Sequence, residues 1–303
     1  MKKKLLIISG PTGVGKSSLA VDLAKKLNTE IISADSMQIY KGMDIGTAKI
    51  KREEMQGITH HMIDIIDPKN SFSVQNFQEL ALNLIDEISS NDKIPIVVGG
   101  TGLYINSIFY KYDFSNVKPN EEFRKTMEER YKENPEVLLD KLVEIDPDKY
   151  QDLTIKDKKK IIRALEVYKF SGKTITVDSK PNDDYEIYLY VLNNNREKLY
   201  TDINQRVDRM LEEGLVKEVR RLIAQGLNKD HQSMKAIGYR ELIPYIQGDL
   251  SYVKAVELLK KDSRRYAKRQ LTWFRKNKEV VWLDKSTMTK DDMMNKILED
   301  LKS

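Results

Sequence analysis

The N-terminal third of the chain alternates short apolar runs with amphipathic segments. The runs at residues 5–9, 31–32 and 94–98 lead into polar or glycine-bearing turns, a pattern typical of buried strands. Leucines at four-residue spacing predict a helix over residues 19–27, and a second amphipathic helix is predicted over residues 77–88. Strands separated by helices indicate a doubly wound α/β core with a parallel sheet.

The middle of the chain has a different character. From about residue 113 to residue 180, charged and helix-favouring residues dominate and no buried-strand pattern occurs, which predicts a helical segment. Apolar strand residues return at 187–192, and one long amphipathic helix is predicted over 203–222. Residues 280–283 are predicted as the last strand.

Both ends of the chain are expected to build one domain. Residues 1–113 and 185–303 would form the α/β core, and residues 114–184 would be inserted between them as an all-helical subdomain. The chain has 303 residues, 40% of them hydrophobic, which is enough to bury a sizeable core. The sequence shows neither an internal repeat nor a low-complexity linker.

Composition excludes several classes of protein. No stretch approaches the roughly 18 uninterrupted apolar residues of a membrane-spanning helix, and the N-terminal apolar run is too short for a signal peptide. The absence of cysteine excludes disulfides and thiolate metal sites. We therefore expect a cytoplasmic protein without a membrane partner. Because the sequence shows no dimer signature, we expect a monomer.

Positive charge is concentrated in two places, although the net charge is only +5. Residues 260–278 carry nine Lys and Arg side chains and a single acid, and a second basic run covers residues 156–163. Such runs are often solvated helix faces. In the first run, however, aromatic residues such as Tyr266, Trp273 and Phe274 lie among the arginines, and phosphate neutralisation with stacking is what nucleic-acid binding requires.

The strongest chemical pattern is a phosphate-binding loop. Residues 10–17, with the sequence GPTGVGKS, have the spacing of a P-loop and lie between a predicted strand and a predicted helix. Backbone N–H groups of such a loop surround phosphate oxygens, Lys16 reaches a phosphate, and the Ser17 hydroxyl can ligate Mg²⁺. The fold class is therefore predicted as a P-loop NTPase-like parallel sheet flanked by helices. The motif alone does not identify the molecule that carries the phosphates.

Two more segments follow predicted strands. Asp35 comes after the second strand, where open α/β sheets bind ligands; it could equally cap a helix or hold a Mg²⁺-bound water. Residues 99–104 could present the Thr101 hydroxyl to the same crevice, or form only a tight turn. The adjacent His60 and His61 have no third ligand nearby to complete a metal site, and we interpret them as structural.

Nine segments occur in a fixed order from residue 10 to residue 274. They are residues 10–17, 35–40 (DSMQIY), 44–49 (DIGTAK), 60–64 (HHMID), 99–104 (GGTGLY), 163–167 (RALEV), 205–208 (QRVD), 236–240 (AIGYR) and 267–274 (AKRQLTWF). The ordered set resembles one family, the bacterial tRNA dimethylallyltransferases, also called isopentenyl-diphosphate transferases. A P-loop alone is shared with many unrelated proteins, but this ordered set is not.

The resemblance implies transfer of a dimethylallyl group from dimethylallyl diphosphate to the exocyclic N6 amine of the adenosine immediately 3′ of the anticodon. Asp35 would be the general base, and Thr101 would orient the adenine or bridge to the diphosphate. A Mg²⁺ at Ser17 would help to stabilise the leaving diphosphate. The implied diphosphate-binding residues are Gly10, Thr12, Gly13, Gly15, Lys16, Ser17, Ser18 and Arg206.

The implied RNA partner is the anticodon stem-loop of a transfer RNA. Its adenine must leave the stack to reach the P-loop, and the helical insertion would wrap the stem-loop. The RNA-binding residues expected are Asp35, Ser36, Met37, Gln38, Thr101, Lys159, Lys160, Arg163, Lys235, Gly238, Tyr239, Arg240, Arg264, Arg265, Lys268 and Arg269. Leu259, Tyr266 and Trp273 are spaced by seven, and we predict that they pack in the core on one helix face.

Two other functions compete with the transferase. A small-molecule kinase that uses ATP would explain the P-loop but not the basic C-terminal segment. A nucleotide-dependent switch is suggested by residues 228–230 (NKD), which superficially match a guanine-reading motif. That segment is predicted between helices and not after a buried strand, so we discount the switch.

Overall fold

A computed structural model describes residues 2–110, 112, 117, 119–174 and 181–302. The strands within these residues are β1 (Lys3–Ser9), β2 (Ile31–Ser33), β3 (His60–His61), β4 (Ile96–Gly99), β5 (Tyr185–Asn193) and β6 (Val281–Asp284). They form one sheet in the order β3-β2-β4-β1-β5-β6, and every neighbouring pair is parallel. The two-residue strand β3 has no counterpart in the pattern of the sequence.

Thirteen helices occur in the described ranges. They are α1 (Lys16–Leu27), α2 (Arg52–Met55), α3 (Val74–Ser90), α4 (Gly102–Phe109), α5 (Glu121–Glu133), α6 (Pro135–Ile145), α7 (Pro147–Tyr150), α8 (Lys158–Ser171), α9 (Arg196–Glu212), α10 (Leu215–Ala224), α11 (Ile243–Gln247), α12 (Tyr252–Phe274) and α13 (Lys290–Asp300). Short 3-10 turns cover Ile155–Asp157 and Ser233–Lys235. Of these helices, none is both long and apolar enough to cross a membrane.

The central strand β1 is covered on both faces. Its residues Leu5, Leu6, Ile7 and Ile8 point alternately to opposite sides of the sheet, and all four are fully buried. Helix α1 packs on β1, β2 and β4, and α3 also packs on β1. Burial on both faces is typical of a parallel sheet between helical layers, and it confirms the α/β fold predicted from the sequence.

Strand order brings three loops together. Strand β4 lies between β2 and β1, so the segments that follow these strands leave the sheet side by side. Ser9, the last residue of β1, pairs with Gly99 of β4, and its hydroxyl donates to the Gly99 carbonyl at 2.7 Å. A Cβ atom at Gly99 would collide with the backbone of Ala34, so only glycine allows the segments after β2 and β4 to approach this closely.

The chain divides into two compact units. One consists of Met1–Phe109 and Asn182–Ser303, and the other of Tyr110–Pro181. The expected boundary between residues 113 and 114 lies outside the described residues, and the boundary expected between 184 and 185 falls three residues earlier, after Pro181. The larger unit contains the whole sheet and the helices α1–α4 and α9–α13.

The smaller unit has its own apolar core, formed by helices α5–α8. The buried residues of this core are Met127, Leu138, Leu142, Tyr150, Ile161, Ile162, Ala164 and Leu165. The side chain of Glu166 is also fully buried, and it pairs with Arg124 at 2.8 Å and with Arg163 at 2.5 Å. Two guanidinium groups thus compensate the buried carboxylate, as such burial requires.

Two predictions about the C-terminal helices are wrong. The single helix predicted over 203–222 is interrupted at Gly214, whose φ of 104° ends α9 and begins α10. Trp273 is 40% exposed and does not lie in the core. The buried stripe of α12 instead passes through small and polar residues that a search for large apolar side chains overlooks, and its members are Ala255, Leu259, Ser263, Ala267, Gln270 and Phe274.

Candidate active site

The P-loop joins β1 to α1. Gly10, at its start, has a φ of 139°, and a Cβ atom there would lie 2.6 Å from the carbonyl oxygen of Leu192 on the neighbouring strand β5. Only glycine fits this position. Gly15 also has a positive φ, of 96°, and caps α1, which begins at Lys16. The helix thus begins directly beneath the loop, which places its positive end at the site.

Lys16 lies across the loop. Its ammonium donates to the carbonyl oxygens of Gly10 at 3.0 Å and Pro11 at 2.8 Å. Burial and, to a smaller extent, the positive charge of Arg206 lower the pKa of Lys16 to about 7, and the negative charge of Asp35 opposes both effects. Burial likewise lowers the pKa of Arg206, again opposed by Asp35. Two cations and one carboxylate from α1, α9 and the loop after β2 therefore share one electrostatic environment.

Asp35 begins a tight turn after β2. Its Oδ1 atom accepts the backbone N–H of Met37 at 2.9 Å, which fixes the carboxylate relative to the backbone. The following residues, Ser36 and Gln38, belong to the same turn, and the Gln38 amide donates to the carbonyl oxygens of Thr47 and Ala48, each at 3.4 Å. Residues 35–38, which the sequence predicts to bind RNA, therefore form a rigid turn that is hydrogen-bonded to the loop containing Thr47 and Ala48.

Thr101 connects the loop after β4 to this turn. Its Oγ1 accepts the backbone N–H of Ser36 at 3.0 Å. The hydroxyls of Thr101 and Tyr266 are hydrogen-bonded to each other, and burial raises the pKa of Tyr266. Tyr266 comes from α12, so this helix, β2 and β4 contribute polar groups to one cluster. The structure thus places Thr101 beside the turn of Asp35.

Gln270 was not anticipated as a site residue. It lies on the buried stripe of α12 and is 6% exposed. Its Oε1 accepts the Thr12 N–H of the P-loop at 3.0 Å, and its Nε2 donates to the Gly100 carbonyl at 2.8 Å. Because Gln270 and Thr12 are 258 positions apart, no local pattern reveals the bridge. The signs available in the sequence were its place in the segment 267–274, which resembles the family, and a polar residue on a buried helical stripe.

Some of these groups line a pocket of about 250 Å³ in the larger unit, whereas Lys16, Thr101 and Gln270 are not among its lining residues. Thr12 of the P-loop, Asp35 and Arg206 all line it, together with Tyr266 and Arg269 of α12. The expected catalytic carboxylate, the phosphate-binding loop and part of the basic helix therefore face the same space. The remaining wall includes Ser36, Met37, Gly46, Thr47, Ile203, Val207, Met210, Lys235, Ala236, Ile237, Gly238, Arg240, Leu259 and Ser263.

A second unanticipated residue, Glu218 of α10, positions another wall of the pocket. Its buried carboxylate accepts the backbone N–H groups of Asp44, Ile45 and Gly46 at 2.9–3.0 Å. It also accepts the Tyr239 hydroxyl at 2.6 Å. Four donors thus compensate the charge of one carboxylate and hold the loop that carries Gly46 and Thr47.

The segment 235–240 divides into lining and structural residues. Lys235, Gly238 and Arg240 line the pocket, whereas Tyr239 is fully buried. The expectation that Tyr239 contacts RNA does not fit this position, because its side chain has no surface and its hydroxyl is engaged by Glu218. Arg240 pairs with Glu241 at 2.5 Å and with Asp262 at 3.0 Å.

The basic residues of α12 differ in exposure. Arg264 donates to Asn204 of α9 at 2.6 Å, and Arg269 lies over the Tyr266 ring with its guanidinium 5.7 Å from the ring centroid. Arg265 has a 61% exposed side chain, and Lys268 is exposed. Arg269 is exposed as well, so that among these four residues only Arg264 is partly buried.

The basic residues expected to bind RNA in the smaller unit lie on α8. Lys159 and Lys160 are exposed, and Lys160 pairs with Asp157 at 2.7 Å. Arg163 instead points to Glu166 and donates to the Val117 carbonyl at 2.9 Å. The positive charge of Arg163 is thus largely compensated by Glu166 within the smaller unit.

Ser17 and Ser18 begin α1 and are exposed. Ser17 lines a small cavity of about 30 Å³ together with the polar side chains of Ser33, Gln38 and His60. Mg²⁺ prefers oxygen ligands, takes one or two of them from the protein and completes its shell with phosphate oxygens and water, and the Ser17 hydroxyl can supply one such oxygen. The donor set at Ser17 therefore fits the expected ion. The Ser18 hydroxyl accepts from Lys290 at 2.7 Å.

The two histidines do not form a metal centre. His61 pairs with Glu30 at 2.8 Å, and the His60 Nδ1 lies 2.9 Å from the Ile58 carbonyl oxygen. Burial lowers the pKa of His60, which favours its neutral form. Over the described part of the chain, no group of three or more His, Asp or Glu side chains is arranged to hold a metal ion.

Known proteins match nearly the whole chain. A family model described as IPP transferase matches residues 38–277. A solved full-length tRNA isopentenylpyrophosphate transferase from Bacillus halodurans is 43% identical, with a TM-score of 0.76, over 99% of this chain and 96% of that one. A tRNA delta(2)-isopentenylpyrophosphate transferase from Staphylococcus epidermidis is also 43% identical, with a TM-score of 0.75 and 99% of both chains covered.

A more distant solved structure is a eukaryotic dimethylallyltransferase acting on tRNA. It is 29% identical, with a TM-score of 0.83, over 98% of this chain and 78% of that chain. Together these matches favour a prenyl transferase over a small-molecule kinase, and they agree with the family resemblance found in the sequence motifs.

Proposed function

This chain belongs to the IPP transferase family, and we propose that it transfers a dimethylallyl group from dimethylallyl diphosphate to the N6 amine of the adenosine immediately 3′ of the anticodon in transfer RNA. One observation supports this activity more than any other. A single pocket is lined by Thr12 of the P-loop, Asp35, Arg206 and Arg269 of the basic helix. The pocket offers the P-loop and Arg206 to a diphosphate, the Asp35 carboxylate to an adenine, and the Arg269 guanidinium to the RNA backbone.

The diphosphate end of the donor would bind the P-loop. Backbone N–H groups at the start of α1, with Lys16 and Arg206, would neutralise the charge that develops as the allylic carbon–oxygen bond breaks. Lys16 now donates to loop carbonyls, and it would exchange these for diphosphate oxygens. A Mg²⁺ held by Ser17 would supply further neutralisation of the leaving group when it is bound. The leaving diphosphate takes the bonding electron pair.

The adenine amine would react beside Asp35. Because its lone pair is delocalised into the ring, the amine is a weak nucleophile until its proton is removed. Met37 holds Oδ1 of Asp35, so Oδ2 would face the amine and take its proton as the new nitrogen–carbon bond forms. Thr101, fixed by Ser36 and Tyr266, would orient the extruded base. Asp35 then returns the proton to solvent.

RNA binding would use exposed cations from both units. Arg265 and Lys268 of α12 and Lys159 and Lys160 of α8 are the side chains best placed to meet backbone phosphates. Arg269, which lines the pocket, would contact the nucleotide that carries the reacting adenine. We further propose that the chain works as a monomer in the cytoplasm, where its RNA substrate is found.

The decisive experiment is a transfer assay with a labelled donor. The protein is incubated with Mg²⁺, labelled dimethylallyl diphosphate and bulk transfer RNA, and the RNA is digested to nucleosides. We expect label on an adenosine derivative and release of inorganic diphosphate in equal amount. A folded protein that leaves the RNA unlabelled, yet transfers phosphate from ATP to a small molecule, would return the assignment to a kinase.

A further inference from the structure

A lysine far from the P-loop in sequence contacts the backbone of this loop. Lys285 follows β6, and its backbone N–H donates to the Asn193 carbonyl at the end of β5 at 3.0 Å. Its ammonium donates to the Val14 carbonyl at 3.0 Å. A Cβ atom at Gly15 would lie only 3.3 Å from the same nitrogen. Lys285 is therefore anchored at the carboxyl edge of the sheet and packed against the loop.

The contact with Val14 fixes one particular peptide group. The Val14 carbonyl and the Gly15 N–H belong to the same peptide, which is trans, so the two groups point in opposite directions. Lys285 holds the carbonyl on its own side of the peptide. The Gly15 N–H is thereby turned away from Lys285, and a P-loop uses such backbone donors to bind phosphate.

Gly15 has particular need of such a contact. It has a φ of 96° and stands where the loop becomes α1. Because glycine has no side chain, its backbone is freer to rotate than that of any other residue type. Rotation of the Val14–Gly15 peptide would turn a carbonyl oxygen toward the diphosphate and replace attraction by repulsion. A donor on the carbonyl side opposes that rotation.

The C-terminal segment supports Lys285 from behind. Five residues from Lys285, Lys290 donates to the Ser18 hydroxyl at 2.7 Å and pairs with Asp22 of α1. Met293 and Ile297 of α13 are buried in the same apolar cluster as Leu19 of α1. The segment after β6 is thus joined to the P-loop by Lys285, and to the first turns of α1 by Lys290 and by an apolar contact.

We propose that Lys285 is a positioning residue of the diphosphate site, which holds the Val14–Gly15 peptide so that the Gly15 N–H faces the diphosphate. This inference rests on the proposed function. Lys285 acts through the loop and touches neither the allylic carbon nor the adenine. It therefore affects the affinity for diphosphate and leaves the affinity for RNA unchanged.

The test compares three variants. Lys285→Met removes the donor and keeps the length of the side chain, Lys285→Arg keeps a donor, and Lys302→Met removes an exposed charge elsewhere in the C-terminal region as a control. The dissociation constants of inorganic diphosphate with Mg²⁺ and of transfer RNA are measured by titration calorimetry and filter binding. The melting temperature of each unliganded variant is recorded.

We expect the diphosphate dissociation constant to rise about tenfold in Lys285→Met, the effect of losing one oriented donor to a charged ligand. Lys285→Arg should restore most of this affinity, Lys302→Met should match the wild type, and RNA affinity should be equal in all four proteins. Wild-type diphosphate affinity in Lys285→Met would overturn the proposal. So would a loss of affinity in Lys285→Met that Lys285→Arg fails to reverse, or one that extends equally to RNA.

The outcome is separable from that of the proposed function. If the wild-type protein neither binds diphosphate nor modifies RNA, the proposed function fails, whatever Lys285 does. If the wild type binds diphosphate and transfers the allyl group while Lys285→Met equals it in both, only the positioning role fails.

Discussion

Asp35 acts in a setting of mixed charge. The positive charge of Arg206 lowers the pKa of Lys16, and Asp35 opposes the lowering of the pKa in both residues. A carboxylate beside two cations could accept a proton from the adenine amine, but it could also hold a Mg²⁺-bound water. The two roles differ in which step of the reaction they affect.

The substitution Asp35→Asn separates these roles, because it preserves shape and removes the charged acceptor. If Asp35 is the base, single-turnover transfer should fall by about 10²–10⁴ while the affinity for Mg²⁺-diphosphate stays the same. Rapid-quench transfer and calorimetric diphosphate binding are measured on the same preparation, with the exposed Asp230→Asn as a control. A loss of donor affinity in proportion to the rate would make Asp35 a metal-shell residue.

Lys16 should make stability depend on pH. Its pKa is about 7 in the folded protein against 10.5 as the ordinary value, so both states are protonated below pH 7 and the buried ammonium destabilises the fold. Above pH 7 the folded state loses this proton first, and the penalty diminishes up to pH 10.5. Relative to Lys16→Met, the wild-type protein should therefore gain stability as pH rises.

Urea unfolding of both unliganded proteins between pH 6 and 9 checks this expectation, since other titrating groups cancel in the difference. A difference in the free energy of unfolding that stays constant across the range would mean that Lys16 keeps its ordinary pKa. If the wild-type protein instead lost stability relative to Lys16→Met as the pH rises, the pH dependence would have the opposite sign to the one expected for a buried ammonium.

At the scale of elements, local pattern predicted the structure wherever the determinants were local. The strand–loop–helix unit around residues 5–27 and the strand beginning near residue 94 follow from apolar runs and glycine positions. Strand β3 has only two residues and exists through pairing with β2, so no periodicity indicates it. The break at Gly214 was overlooked because apolar spacing continues across it, from α9 into α10.

The residues of the site likewise divide into those that local pattern predicts and those that depend on contacts with distant segments. Asp35 and Thr101 lie at strand ends, and their convergence follows from the parallel order of the sheet. Gln270 and Glu218 depend on contacts with distant segments, at separations of 258 and more than 170 positions. Only the chemistry of a buried polar residue on an apolar helical stripe marks such residues, and it does not identify their partners.

The loop held by Glu218 provides a prediction about α10. Glu218→Gln replaces an acceptor for three N–H groups by an amide that also carries donors, which leaves part of the loop unsatisfied. We expect a loss of about 3 kcal/mol in the free energy of unfolding, because each buried unsatisfied donor costs about 1–3 kcal/mol. The change is measured by urea unfolding, where the exposed neighbour Glu212→Gln should differ from wild type by less than about 0.5 kcal/mol. Equal stability of the two variants would show that the loop does not need the carboxylate.

At the scale of the whole molecule, the basic residues belong to two units with separate cores. The larger unit carries Arg265 and Lys268 on α12, and the smaller unit carries Lys159 and Lys160 on α8. The proposed RNA binding uses cations of both units. Phosphate contacts in different units should then contribute independently to binding.

Salt dependence of RNA binding measures these contacts directly. Each phosphate contact releases counterions, so Lys268→Ala and Lys159→Ala should each reduce the slope of log K against log salt by about one, and the double variant by about two. Filter binding between about 50 and 200 mM salt determines the slopes, with the exposed Lys26→Ala of α1 as a control for loss of charge. Donor affinity should stay at the wild-type value in every variant, because none of these lysines lines the pocket. A slope that falls for Lys268→Ala alone would confine RNA binding to the larger unit, and equal slopes in all variants would make both basic runs ordinary solvated helix faces.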